Sequence, residues 1–459
     1  MTPARSRETP PDLAKPAKPA KMMKKRTLLR RILPLPLLAL LASSGAVAPA
    51  TSSASEEDGM PFANWPQWRG PSGTSVAPAG SYPVTFSPSK EVLWKAALPG
   101  VGSSTPAVWG ERIFVTCGID GNDAVLAYDW SGRELWRTAL GPERPGKHKN
   151  GSGANPSPIV DGERIVVYYK SGTVASLSHE GKVHWKTNLQ SRFGEDTLWW
   201  DLGTSPVFAG GRIVVAVMQE GESYLVALEP SDGSVAWKID RTFPVQKETG
   251  QSYTTPYVAE IDGRETLVVW GADHLTGHDP ADGSVLWTCG GFNPEDKPMW
   301  RVIASPAIVD GIAVVPYGRT QFTAGIRLGG SGDITATARL WERDDLGADC
   351  PSPVGRDGRA YVLTDRGAIH CLDVETGRDL WSGAIPRASA SFYSSPVLAG
   401  DLLYCAREDG MVAVVRVGDS GMELLSQNDM GELIAAAPVP VRNRLLIRGI
   451  DHLYCLGAE

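Results

Sequence analysis

The stretch 280-PADGSVLW-287 decides the fold, because the chain carries near copies of it: 129-DWSGRELW-136, 178-SHEGKVHW-185, 230-PSDGSVAW-237 and 374-VETGRDLW-381. In each, a Gly stands four residues before a Trp. Gly accepts the positive φ of a tight hairpin turn. A residue four positions further along a strand has a fixed facing, because side chains alternate with period 2. The Trp is therefore placed to fill the gap between stacked sheets.

Working outward, an apolar segment such as 125-VLAYD-129, 224-YLVALE-229 or 369-IHCLD-373 precedes the turn. Before it comes a strand such as 112-RIFVTC-117, 164-RIVVYY-169, 212-RIVVAV-217 or 359-RAYVLT-364. Each unit opens with a Pro that follows Ser, Thr or Ala: Pro106, Pro158, Pro206, Pro256, Pro306, Pro353, Pro396 and Pro438. The spacing is 52 residues from Pro106 to Pro158 and 42 from Pro396 to Pro438. Four short antiparallel strands at this period predict a propeller blade. Pro at a strand start is tolerated because its missing N–H need not join the ladder.

Eight such units predict eight blades. The last unit ends at 452-HLYCLGAE-459 after three strands, and 91-EVLWKAAL-98, with Trp94 in the Trp position, supplies the fourth. The expected fold is all-β: an eight-bladed β-propeller of four-stranded antiparallel blades, closed by an N-terminal strand in the last blade. Closure removes the open sheet edges of an incomplete ring. The unit at 304–341 departs from the pattern, with 326-IRLGGSGDITATARLW-341 where the turn belongs. It reads as a longer turn or bulge.

The chain of 459 residues has a net charge of −7. Residues 1–50 hold ten Lys/Arg and two Asp/Glu, or +8, which leaves −15 for the remainder. So acidic a domain is a poor nucleic-acid binder, since that role needs cations to neutralise phosphates. Within residues 1–50, basic 24-KKRTLLRR-31 followed by apolar 32-ILPLPLLALLASSGAVA-48 reads as a secretory signal, with a retained anchor as the other option. Residues 51–64 read as a disordered tether, 65–90 as an N-terminal segment packed on the ring, and 91–459 as the propeller. The expected location is the periplasm or cell envelope, with membrane contact only through an uncleaved leader, and the expected state is a monomer. Cys117, Cys289, Cys350, Cys371, Cys405 and Cys455 form no CxxC and read mainly as buried free thiols.

The units resemble the PQQ-like β-propeller repeat found in quinoprotein dehydrogenases and in the outer-membrane assembly protein BamB. The resemblance covers about residues 91–459, and 65-WPQWRGPSGTS-75 is similar to the segment that leads into exported bacterial members. It implies the fold firmly and the function weakly, because one fold hosts unrelated activities.

Two readings of function follow. The first is a non-catalytic binding or scaffolding propeller without a cofactor or metal. It would engage a protein, peptide or glycan of the cell envelope through its blade-to-blade links. The candidate contact residues are Lys147, His148, Trp199, Trp200, Tyr253, Trp300, Arg301, Phe392 and Tyr393, which lie in links expected on one face of the ring. The second, implied by the resemblance, is a dehydrogenase that oxidises an alcohol or sugar using PQQ and calcium. In 196-DTLWWDLGTSPV-207, Trp199 or Trp200 would stack on the quinone and Asp201 would act as base. Three observations favour the binding reading. Related links vary the same theme, the adjacent cysteines that cap the quinone in many dehydrogenases are lacking, and no complete calcium set is legible. His278 falls at an apolar strand position and reads as a hydrogen-bonded core residue, with His274 too isolated for a metal site.

Overall fold

The computed structural model describes residues 63–319 and 321–457. The leader and nearly all of the expected tether lie outside the described residues. The ring has eight sheets. Blade 1 shows the plan: Ala107–Trp109 innermost, then Arg112–Ile119, Asn122–Tyr128 and Glu134–Pro142 outermost. Blades 2 to 7 repeat it over 159–188, 207–240, 257–289, 307–343, 354–384 and 397–429. Blade 8 takes three strands from 439–456 and its fourth from Val92–Ala97, which pairs antiparallel with His452–Leu456. The chain's two ends thus share one sheet, as the repeat count requires.

The recurrent Gly and Trp belong to a lock between neighbouring blades. Gly132, Gly181, Gly233, Gly283 and Gly377 all have positive φ, between 67° and 82°. A Cβ at Gly132 would strike the Trp94 ring at 2.6 Å, and one at Gly233 would strike Trp185 at 2.4 Å. The Trp of one blade therefore lies on the turn of the next. Its indole N–H donates to a carbonyl of that turn: Trp94 to Trp130, Trp136 to His179, Trp185 to Pro230, Trp237 to Pro280, Trp341 to Val374 and Trp381 to Gly418. A bulge just before the Trp recurs in the outer strand pair, as between Ala227↔Trp237 and Leu228↔Val235. Such a bulge bends and twists the strand locally. The lock from Trp94 to blade 1 closes the circle.

The irregular unit in blade 5 is more than a long turn. Gly332–Asp333 pairs in parallel with Trp287 and Thr288 of blade 4, giving that blade a fifth strand. Trp287, at 1% exposed, is buried in its own sheet against Gly277. The insertion covers the edge at this junction.

The links between blades gather on one face, because every inner strand starts there and every outer strand ends there. The opposite face carries the turns between inner and second strands. Residues 63–77 cross the channel on that opposite side. Asn64 Oδ1 accepts from Gly110 N–H in such a turn, Trp65 bridges Val108, and Pro66 O accepts from Val160 N–H. Arg69 donates to Pro306 O at 2.8 Å and Pro353 O at 2.5 Å, across in blades 5 and 6. Val76–Ala77 then pairs with the inner strand of blade 7. These fifteen residues thereby close one end of the channel.

Candidate functional site

What remains of the channel is a well of about 360 Å³, open on the link face and reaching Trp68 of the closing segment. This is within the range of small-molecule sites, about 300–1,000 Å³. All eight links contribute to it, among them Thr105, Ser157, Ser205, Thr255, Ser352, Ser395 and Ala437 on the wall.

These wall residues form a belt, and they explain the residue that stands before each repeat Pro. Each backbone N–H donates to the hydroxyl of the next blade: Thr105 to Ser157, Ser157 to Ser205, Ser205 to Thr255, Thr255 to Ser305, Ser305 to Ser352 and Ser352 to Ser395. Ala437 N–H closes the belt on Thr105 Oγ1. Ala437 itself has no hydroxyl, so the belt has a gap between blades 7 and 8. In the sequence the signal was present as Ser-Pro and Thr-Pro, but it read only as a strand start. Facing inner strands have backbone donors that need acceptors, and the hydroxyl supplies one.

Above the belt the mouth is less regular. Trp200 is 41% exposed and lines the well; Trp199 is 47% exposed and does not. The Arg301 guanidinium lies over the Trp200 ring at 5.4 Å, and the His148 ring meets Trp200 edge-on at 5.4 Å. Arg301 also pairs with Glu248 and Asp349, each at 3.1 Å, and Glu248 holds Arg319 as well. Burial raises the Asp349 carboxyl above its usual range, with Arg301 acting against the shift. Tyr253 lines the well; its hydroxyl donates to Gln251 and accepts from Trp200 N–H.

Asp201 is held from three sides. The buried Lys170 ammonium pairs with it, and the N–H groups of Lys147 and His148 donate to it at 2.9–3.0 Å. Its side chain is 4% exposed. Lys170 was missed in the sequence, because it sits at the end of an apolar strand with nothing nearby to mark it. The same 147–150 link reaches across the mouth to blade 7, where Asn150 donates to Glu408 at 2.6 Å and Lys149 approaches it at 3.4 Å.

The other candidates divide. Lys147 is exposed, its ammonium donating to Leu198 O, and Tyr393 lines the well. Trp300 is half-buried, edge-on to Tyr317. Phe392 is a correction: at 2% exposed it lies in the core, under the Arg407 guanidinium, and offers no contact surface. Its position in the chain is within a link, but its side chain turns inward. His278 is a core residue, 1% exposed, bonded to Gly283 O and Thr276 Oγ1, and burial lowers it to about 4. His274 stacks on Phe243. The six cysteines are free, and all but Cys350 are buried.

The ring and its one-ended well define a PQQ-like eight-bladed propeller. A family model described as outer membrane protein assembly factor BamB matches residues 84–222, 170–337 and 330–439, and the chain belongs to that family. BamB of Yersinia pestis is 24% identical over 381 residues, covering 81% of this chain and 79% of the relative. BamB of Salmonella typhimurium is 25% identical over 328 residues, covering 68% and 75%. Among solved structures, BamB from Moraxella catarrhalis superposes with a TM-score of 0.56 at 15% identity, covering 80% of this chain and 99% of that one. The quinohemoprotein alcohol dehydrogenase of Comamonas testosteroni superposes with a TM-score of 0.64 at 12% identity, covering 86% and 81%. At these identities the solved structures establish the common fold.

Proposed function

We propose that this chain is an exported, non-catalytic binding propeller of the bacterial cell envelope, which engages a protein partner through its link face in outer-membrane-protein assembly. The observation that carries it is the exposed apolar rim on that face. Trp199 and Trp200, in the link from blade 2 to blade 3, are 47% and 41% exposed, and Met299, in the link from blade 4 to blade 5, is 51% exposed. Large apolar side chains beside Arg301 form the kind of cluster that dominates protein interfaces. The family's shared description supports the same reading.

The residues fit a quinone and calcium pair poorly. Asp201, the expected base, already faces an ammonium and two N–H donors. Arg301 covers part of the Trp200 ring on which a quinone would stack. The test has two arms. The purified full chain should capture one envelope protein from extract, and Trp199→Ala should weaken capture at least about tenfold, as loss of a hot-spot Trp does. Stoichiometric binding of PQQ with calcium, and dye reduction by an alcohol or sugar, would replace this reading with the dehydrogenase one.

A further inference from the structure

We propose that the well receives the carboxylate end of an extended peptide; this rests on the binding reading above and names what the well, as distinct from the rim, recognises. Four observations converge on it.

The first is the belt. Each of its hydroxyls accepts an N–H from the blade before, and none donates to a protein acceptor among the described residues. A hydroxyl has one proton to give and two lone pairs, so the belt hydroxyls that line the well, those of Thr105, Ser157, Ser205, Thr255, Ser352 and Ser395, keep their donors for its occupant. Neutral donors converging on one axis suit an anionic acceptor, and such charge-assisted bonds are about twice as strong as neutral ones.

The second is charge. Two guanidinium groups are buried beside the belt with no carboxylate partner. Arg69, 3% exposed, donates to Pro306 O and Pro353 O, each one residue after a belt serine. Arg448, 1% exposed, donates to Ser104 O and Thr116 O, next to Thr105. Loss of water lowers both from the usual guanidinium value. An unpaired buried cation is costly, and an anion on the axis offsets that cost. The carboxylates nearer the mouth are already matched, Asp201 by Lys170 and Asp349 by Arg301.

The third is shape. Trp68 closes the deep end, so a chain can enter only by its end. The wall above the belt carries Trp200, Tyr253 and Tyr393, which suit the apolar side chains just before a terminus. The fourth is precedent within the molecule. The channel already holds a peptide at its other end, because residues 64–77 bond to the inner strands of blades 1, 2 and 7 through their backbone.

The test is calorimetric titration of the full chain with two short acetylated peptides, identical except that one ends in a free carboxylate and the other in an amide. The acid should bind, and the amide at least about tenfold more weakly. Arg69→Gln should weaken the acid peptide, with a thermal melt to show that the ring remains folded. Ala437→Ser supplies the missing hydroxyl without removing any acceptor, and should tighten it severalfold. Equal binding of acid and amide, binding of neither, or no change in Ala437→Ser would overturn the proposal. Acetate binding as tightly as the acid peptide would overturn the peptide assignment. Loss of partner capture with peptide binding intact would remove the rim reading alone, and the reverse would remove only this one.

Discussion

The wall of the ring and its open mouth are built on different principles. The wall repeats one contact: a Trp seated on the next blade's turn, its N–H on a carbonyl there, over and over to Trp94. The mouth repeats nothing. Lys170 meets Asp201 between blades 2 and 3, Glu248 gathers Arg301 and Arg319, and Glu408 receives the link from across the channel. Repetition secures the ring whatever it binds. On the proposed binding reading, individuality at the mouth is what would recognise a particular partner, and that contrast can be broken from either side.

The largest single effect is expected at Lys170. Lys170→Met leaves Asp201 buried beside two N–H groups but without its cation, and should cost about 3–5 kcal/mol in chemical denaturation. A cost near zero would mean that the pair is solvated and the mouth far looser than described. In the wall, Trp94→Ala and Trp237→Ala remove equivalent locks, each partly exposed, and should each cost about 3 kcal/mol. Equal costs would show that the closing junction is as firm as any other; a much smaller cost at Trp94 would show a ring that opens there.

A smaller effect separates the two regions by pH. Asp123 is fully buried near the mouth and accepts from the Ser171 hydroxyl, and burial pushes its carboxyl up to about 7. A carboxyl raised on folding makes the unfolded state the better acid. It therefore costs nothing below the unfolded value near 4, and stability falls as pH rises from there to about 7. Asp123→Asn should be neutral at pH 4 and stabilising at pH 8, by roughly 2 kcal/mol after the change in hydrogen bonding. Urea melts at both pH values check the sign. The smallest effect is at the rim. Trp199→Ala should change stability by no more than about 0.5 kcal/mol, as exposed substitutions do, while weakening capture of the partner at least about tenfold.

The contrast also explains what was legible in the sequence. The wall was readable because its rule is local and repeated: Gly132 and Trp136 stand four apart, as do Gly283 and Trp287. Even the closing strand could be placed, since Trp94 occupied the one vacant Trp position. The mouth was readable only as a list of links. Asp201 was visible, but its partner Lys170 lies 31 residues away in the turn between the second and third strands of blade 2, and nothing in spacing joins them. Phe392 looked like its neighbour Tyr393, yet one turns into the core and the other into the well. The insertion in blade 5 is legible as an irregular unit but its use is not, because edge pairing with blade 4 depends on where blades meet in space.

The most direct measurement is site-specific photo-cross-linking in envelope extract, with the probe at Trp199 on the link face or at Glu111 in a turn on the closed face. The expected result is one discrete protein adduct from position 199 and none from position 111. An adduct from position 111 alone would contradict the assignment of binding to the open mouth.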